Sequence, residues 1–304
     1  MANSITKFKK YIDLLDEVYK MASLTSGLDS DATLARQGAN ANEIIIPKIS
    51  MDGLADYSRS GGYVSGDVTL TNETVTFNYD RGRSFTVDAM DNEETVGIAF
   101  GKLASEFIRT KVVPELDAFR FATYASTTGI STVAGASLTT GGAVISALRE
   151  ATNTMDENEV PVEGRRLFIT PTLMGLVQDL DTTKSREVLS RFSSAVLVPQ
   201  SRFYTAVELK DGTSSGETGG GYAKATDGAD INFMVLLPDA LMQYTKHAVN
   251  KVFSPEENQS ADGWKFVFRS YGLADVYENK VAGIYLHKKA APSSNPAGGD
   301  GSGT

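Results

Sequence analysis

Between Glu43 and Asp88 the sequence places two strand-like runs around a loop that cannot pack. Ile44, Ile45, Ile46 and Ile49 form a β-branched cluster interrupted by Pro47, and Pro, with no N–H to give a ladder, assigns that run to a sheet edge. Val75, Phe77 and Tyr79 alternate with Thr74, Thr76 and Asn78, and Phe85 and Val87 continue past Arg81-Gly82-Arg83; period two is the signature of a strand. Gly53 to Asp67, with four glycines, separates the runs. The pattern predicts one hairpin of ~45 residues with a Gly-rich distal end. A lone two-stranded ribbon is marginal in water because both edges and both faces lie open. Such a ribbon must fold onto its own body or be covered by a neighbour.

The flanking segments read as helices and strands of a packed body. The chain has 304 residues, enough for one large domain or two of ~150 residues, and 41% hydrophobic against 22% charged residues supports a sizeable core. Ile5, Phe8, Ile12, Leu15 and Tyr19 follow helical spacing, and Thr25 to Asn42 reads as an extended arm. Asp91-Asn92-Glu93-Glu94 opens a second helix in the manner of a capping box. Val96, Phe100, Leu103, Phe107 and Val112 form its stripe, and Leu116, Phe119 and Ala122 resume it after Pro114, which is expected to kink or split the helix. Unbroken, that segment would span ~50 Å.

Further along, residues 141 to 158 read as a helix, Arg166 to Ile169 as a strand, and Thr170-Pro171 as the start of a helix reaching Leu180. A short helix is expected at Ser185 to Phe192, with strands at Val196 to Val198 and Phe203 to Leu209. Asp211 to Asp230, with six glycines, reads as a loop. Ile231 to Leu237, Gln243 to Val252, Trp264 to Glu278 and Val281 to His287 are expected strands, the last two joined as a hairpin at Asn279-Lys280. Ala290 to Thr304 has the composition of a disordered tail.

Recognisable catalytic and ligand-binding patterns are missing. There is no Cys, which removes disulfides, thiolate metal sites and Cys nucleophiles. Gly97 to Lys102 lacks P-loop spacing, Gly216 to Gly221 lacks the dinucleotide-binding order, and no GxSxG elbow occurs. His247 and His287 stand alone in sequence and are expected at surface or edge positions. Asp29-Ser30-Asp31 begins like a calcium loop, but Leu34 stands where Gly is required. No cofactor or metal is expected, and no enzymatic activity. The N-terminus, MANSITKFKKYIDLLDE, alternates charged and apolar residues instead of forming a signal peptide, and no apolar run reaches the ~20 residues of a membrane span, so the expectation is a soluble protein without a membrane partner. A net charge of −9 disfavours unspecific capture of nucleic acid.

The order of arm, Gly-tipped hairpin, kinked helix, mixed α/β portion and β-rich return resembles the major capsid proteins of tailed bacteriophages, the Hong Kong ninety-seven-type α+β fold. Three stretches carry the resemblance: KISMDGLADYSRSGGYVSGDVTLTNETVTFNYDRGRSFTVDAMDNEET from Lys48 to Thr95, VVPELDAFRFA from Val112 to Ala122, and VPVEGRRLFITPTLMGLV from Val160 to Val177. The first two look like the hairpin and spine of siphophage coat proteins from Gram-positive hosts, and the third is similar to the family's strand-then-helix element. The match runs over roughly residues 40 to 290.

The resemblance implies an N-terminal arm at 1–43, an extended hairpin loop lying on a neighbouring subunit at 44–90, and a peripheral-domain spine helix at 91–134. It further implies an axial domain at 135–230, peripheral strands at 231–289 and a disordered tail at 290–304. Self-association into pentamers and hexamers of an icosahedral shell around double-stranded DNA follows, in a virion capsid assembled in the host cytoplasm, with a portal protein as a further partner. Only the short arm precedes the hairpin, which points to a separate scaffolding protein. Some members weld the hairpin to a neighbour through a Lys to Asn isopeptide; here Lys48 is the one Lys between 44 and 90 and sits at the base, which argues against that chemistry. Within this frame Arg59, Arg81 and Arg83 are the candidate hairpin cations, and Glu93, Glu94, Glu115 and Asp117 their candidate acidic partners on an adjacent spine. The rivals are an encapsulin-like nanocompartment shell and, more remotely, a soluble hydrolase.

Overall fold

A computed structural model describes residues 23–30, 36–37, 43–90, 104–135, 137–180 and 182–289. The expected helix near residues 5–19, the helix start at 91–94 and the tail from 290 lie outside the described residues. The chain runs through β1 (Arg36–Gln37), β2 (Glu43–Met51), β3 (Val68–Thr76), β4 (Tyr79–Asp88), a π-helical turn (Ile108–Val112) and helix α1 (Val113–Ser126). It continues with β5 (Ser131–Ala134), α2 (Gly141–Glu157), β6 (Arg166–Ile169), α3 (Pro171–Gln178), α4 (Thr183–Leu189) and β7 (Ser194–Leu197). The remainder is β8 (Val207–Leu209), β9 (Tyr222–Lys224), β10 (Ile231–Leu236), β11 (Leu241–Phe253), β12 (Gly263–Val276) and β13 (Ile284–Lys288).

A five-stranded sheet in the order β5-β13-β10-β6-β7 lies at the centre. All six residues of its middle strand β10 are buried, which is what a near-continuous apolar run achieves when both faces are covered. Phe233 and Val235 turn to one side, where they join Leu167, Ile169 and Tyr285 beneath Val144, Leu148, Ala151 and Met155 of α2. Met234 and Leu236 turn to the other, toward Phe121 and Tyr124 of α1. Ile231 joins this second group because the β10 to β13 register shifts between Ile231 and Phe233. At Gly141 the first turn of α2 crosses α3 so closely that a Cβ would lie 2.1 Å from the Leu176 carbonyl oxygen.

β10 pairs with β6 and β13 with β5, so two strands of the β-rich last third complete this mixed α/β layer. The final hairpin expected at Asn279-Lys280 is corrected. β12 pairs with β11 and β4, whereas β13 pairs with β10 and β5. A six-residue 3-10 segment, Glu278–Gly283, carries the chain from one sheet to the other, and the long hairpin of this region is β11–β12.

His287, expected at a surface or edge, is 2% exposed, since its strand is flanked by β5 and β10. Its ring stacks on Phe233 at 4.8 Å, and Nδ1 lies 3.1 Å from the Asn232 side-chain nitrogen. Burial holds its pKa below the ordinary imidazole value, against the opposing charge of Glu150. The unfolded chain therefore takes up this proton first as pH falls below ~6.5, and the stability that the neutral ring contributes is lost from there downward. The expected stability slope attributable to this site is at most about 1.4 kcal/mol per pH unit. Denaturant titrations between pH 7 and 5 on wild type and His287→Gln measure it; equal slopes in the two would refute the assignment.

β4, β11 and β12 make a second, antiparallel sheet in the order β11-β12-β4. Phe266 and Phe268 of β12, with Phe85 and Val87 of β4, pack under Ala104, Ile108, Val112 and Val113. Pro114 is accommodated at the start of α1 by the preceding π turn, in which the Val113 N–H reaches back to the Ile108 carbonyl. An added residue per turn of this kind absorbs the donor that Pro lacks.

Candidate inter-subunit surfaces

The return strand expected from Val75 to Val87 is two strands. β3 pairs antiparallel with β2, from Glu43↔Thr76 out to Met51↔Val68. After Phe77 the chain changes partner, because the Asn78 side chain mimics a backbone unit: its nitrogen donates to the Ala274 carbonyl at 2.7 Å and its oxygen accepts from the Ala274 N–H at 3.1 Å. β4 then follows β12 from Tyr79↔Gly272 to Asp88↔Gly263. Pro47 pairs with Asn72 of β3, and among the described residues β1 pairs only with Ile44 and Ile45.

The register sorts the hairpin into two faces. Ile44, Ile46 and Val75 lie on one face at the base and pack on Met242, Tyr244 and Leu273 of β11 and β12. Further out, that same face becomes polar with Lys48, Ser50, Thr69 and Thr71, and Lys48 pairs with Glu278 of the body. The apolar residues of the distal half are on the opposite face. Ile49 pairs with Leu70 and Met51 with Val68, and these four are 55%, 68%, 65% and 68% exposed, respectively. Halfway along, the ribbon therefore changes which side it offers for burial. At the tip, Ser58 and Gly62 exchange both backbone hydrogen bonds, 2.7 and 3.2 Å, with Gly62 at φ +78°. That turn brings Tyr57 and Tyr63 together at 4.9 Å between ring centroids, 60% and 90% exposed.

The candidate ionic residues distribute unevenly. Arg59 is exposed in the tip turn. Arg81 and Glu115 do meet, but within one chain, at 2.7 Å between Nε and Oε1; the odd residues of β4 face the helical segment, which points Glu115 back at them. Arg81 also donates to the Gly221 carbonyl at 3.3 Å, and Tyr79 Oη lies 3.4 Å from Glu115. Burial opposes the charge on Arg81, yet the bond and charge of Glu115 outweigh it and hold its pKa above the usual value. Arg83 donates to the Thr218 carbonyl at 3.0 Å, so the Gly-rich segment is anchored to β4. Glu93 and Glu94 lie outside the described residues.

Asp117 is corrected most sharply: it is fully buried. Its carboxylate accepts from Ser23 Oγ (2.9 Å), Thr25 Oγ1 (2.8 Å), the Leu24 and Thr25 N–H groups (3.1 and 3.3 Å) and Arg202 (3.3 Å). Gln243 adds a bond to the Thr25 carbonyl and Tyr124 one to Gln243, each 2.7 Å. The residue fastens Ser23 to Ser30 onto α1 and is unavailable to a neighbour. Sequence reasoning missed this cluster because its polar residues are dispersed from Ser23 to Gln243.

Between β4, the π turn and the Gly-rich segment lies a cleft of about 430 Å³, within the size range of ligand pockets. Phe85, Phe107 and Phe268 form its apolar side, and Arg83, Lys111 and Lys210 stand at its polar side. Among the described residues no group of three or more acidic, His or Cys side chains is arranged to hold a metal ion, and no helix is long and apolar enough to cross a membrane.

No family model matches the sequence, and no curated protein matches it. Solved structures do. A chain of Mycobacterium phage Che8 superposes with a TM-score of 0.60 at 12% identity, covering 87% of this chain and 90% of that one. The capsid structure of cyanophage P-SCSP1u gives 0.53 at 14%, covering 85% and 86%. A virus-like particle from Pyrococcus furiosus gives 0.61 at 12%, covering 92% and 99%. At such identities the likeness is one of fold: the chain adopts the α+β architecture of these solved chains, the architecture that its sequence resemblance implied.

Proposed function

We propose that this chain is the major capsid protein of a tailed bacteriophage, self-assembling into the pentamers and hexamers of an icosahedral shell that encloses double-stranded DNA. The distal hairpin face carries the reading. Ile49, Met51, Val68 and Leu70 form a contiguous apolar stripe on a ribbon whose base is already docked, and an exposed stripe of this kind marks a protein contact. In a shell of many copies each hairpin lies on the next subunit, which supplies the cover. A net charge of −9 suits a container whose contents must slide in without adhering to the wall. The role is structural, with a separate scaffolding protein and a portal as assembly partners in the host cytoplasm, and the finished shell resides in the virion.

A nanocompartment shell is the second reading, favoured by the likeness to the virus-like particle. Electron microscopy of the expressed chain, with and without a co-expressed scaffold protein, tests both. Closed shells are expected, and the reading fails if the chain stays monomeric at high concentration in both preparations. Shells that consistently package a specific protein from the host, and no DNA when supplied with a packaging motor, would favour the nanocompartment.

A further inference from the structure

We infer that the paired tyrosines at the hairpin tip of one copy seat in the cleft between the Gly-rich segment and the π turn of a second copy. This rests on the shell reading and names the receiving site within it. The tip is built as a knob: the Ser58–Gly62 turn is closed by two backbone hydrogen bonds, reinforced by Gly61 N–H to Ser58 Oγ at 3.1 Å, and holds Tyr57 against Tyr63. Among the described residues nothing else shields the pair, and Leu54 beside it is fully exposed. Preorganised aromatic residues lose little freedom on docking and dominate interface energetics.

The cleft matches the knob in shape class and in charge. Its Phe85, Phe107 and Phe268 side accepts aromatic rings. Arg83, Lys111 and Lys210 have no carboxylate within ion-pair distance among the described residues. Two of the cleft's acidic residues are already committed, Glu115 to Arg81 and Glu106 to Arg109. Asp211 is turned into its own loop, where hydrogen bonds from the Ser214 hydroxyl and from the Ser214 and Thr213 N–H groups hold its carboxyl far below the usual range. The tip brings the opposite sign, Asp52, Asp56 and Asp67 against the single Arg59.

A second copy is the occupant because the chain's own tip leaves from the wrong side. The hairpin base packs on Met242, Tyr244 and Leu273, on one face of the β11-β12-β4 sheet. The cleft is lined by Arg81, Arg83 and Phe268, whose register places them on the other face, with the helical segment.

The absence of Cys gives a clean test. Tyr63→Cys and Lys210→Cys, combined in one chain and oxidised after assembly, should link neighbouring subunits into a ladder of dimers and longer species. The yield should be at least tenfold above that of either single variant. Wild-type particles alongside double-variant particles without a ladder overturn the seating and leave the shell reading intact; no particles from any version, wild type included, remove both. Should the cysteines alone block assembly, charge exchange decides. Asp56→Lys and Lys210→Glu should each lower particle yield at least tenfold and together restore it, and failure of the double exchange to restore yield overturns the inference.

Discussion

Asp117→Ala is expected to destabilise the isolated subunit by about 3–5 kcal/mol, the cost of leaving a buried charge network without its central partner. The carboxylate is fully buried and accepts from five donors, one of them Arg202. Its loss strands two N–H groups, two hydroxyls and one guanidinium together. Arg120, 5% exposed and bonded to Thr25 Oγ1 at 2.8 Å, depends on the same constellation. Urea unfolding of the subunit measures the effect, and exchange protection around Leu24, Thr25 and Leu28 should fall with it. Asp117→Asn keeps the shape and part of the accepting capacity, so it should cost less. A loss below about 1 kcal/mol for Asp117→Ala, the worth of an ordinary exposed pair, would show that the network does not hold the segment.

The second large effect is on assembly alone. Ile49→Lys with Leu70→Glu replaces a directly paired apolar couple by opposite charges, which preserves cross-strand attraction in the hairpin. Both positions are exposed in the subunit, so its unfolding free energy should change by no more than about 0.5 kcal/mol. What disappears is the burial of two aliphatic side chains at each contact, on the order of 2–4 kcal/mol per arm. Particle yield, read by sedimentation and electron microscopy, should fall at least about tenfold. Normal yield from this variant would mean that the stripe is not an interface.

What was legible in the sequence was local. The strand Arg166–Ile169 and the run into β10 were readable because short runs such as Leu167–Ile169 and Phe233–Leu236 are wholly apolar, and the helix Gly141–Glu157 because Val144, Leu148, Ala151 and Met155 repeat at helical spacing. The incompleteness of the ribbon was readable from Pro47, the alternation and the glycines. Pairing between distant segments was not. Nothing near Asn78 announces that the chain will exchange β2 for β12, since the deciding bonds are to Ala274. His287 looked peripheral because burial depends on β5 and β10, contributed by remote stretches. Arg81 and Glu115 carry opposite charges, but whether they meet within one molecule depends on which face of β4 turns toward the helical segment.

The switch of sides along the ribbon has a mechanical consequence. One flank of the arm is held at its base on its parent; in the proposed shell the other flank, further out, would be held on the adjoining molecule, and the arm would act as a strap whose two ends are glued to different bodies. Pressure from tightly packed contents would pull those bodies apart along the strap. Tension along the strap would run through the two covalent backbones together, and the nine rungs between Glu43↔Thr76 and Met51↔Val68 would keep those backbones side by side while the side chains of the two faces hold the ends.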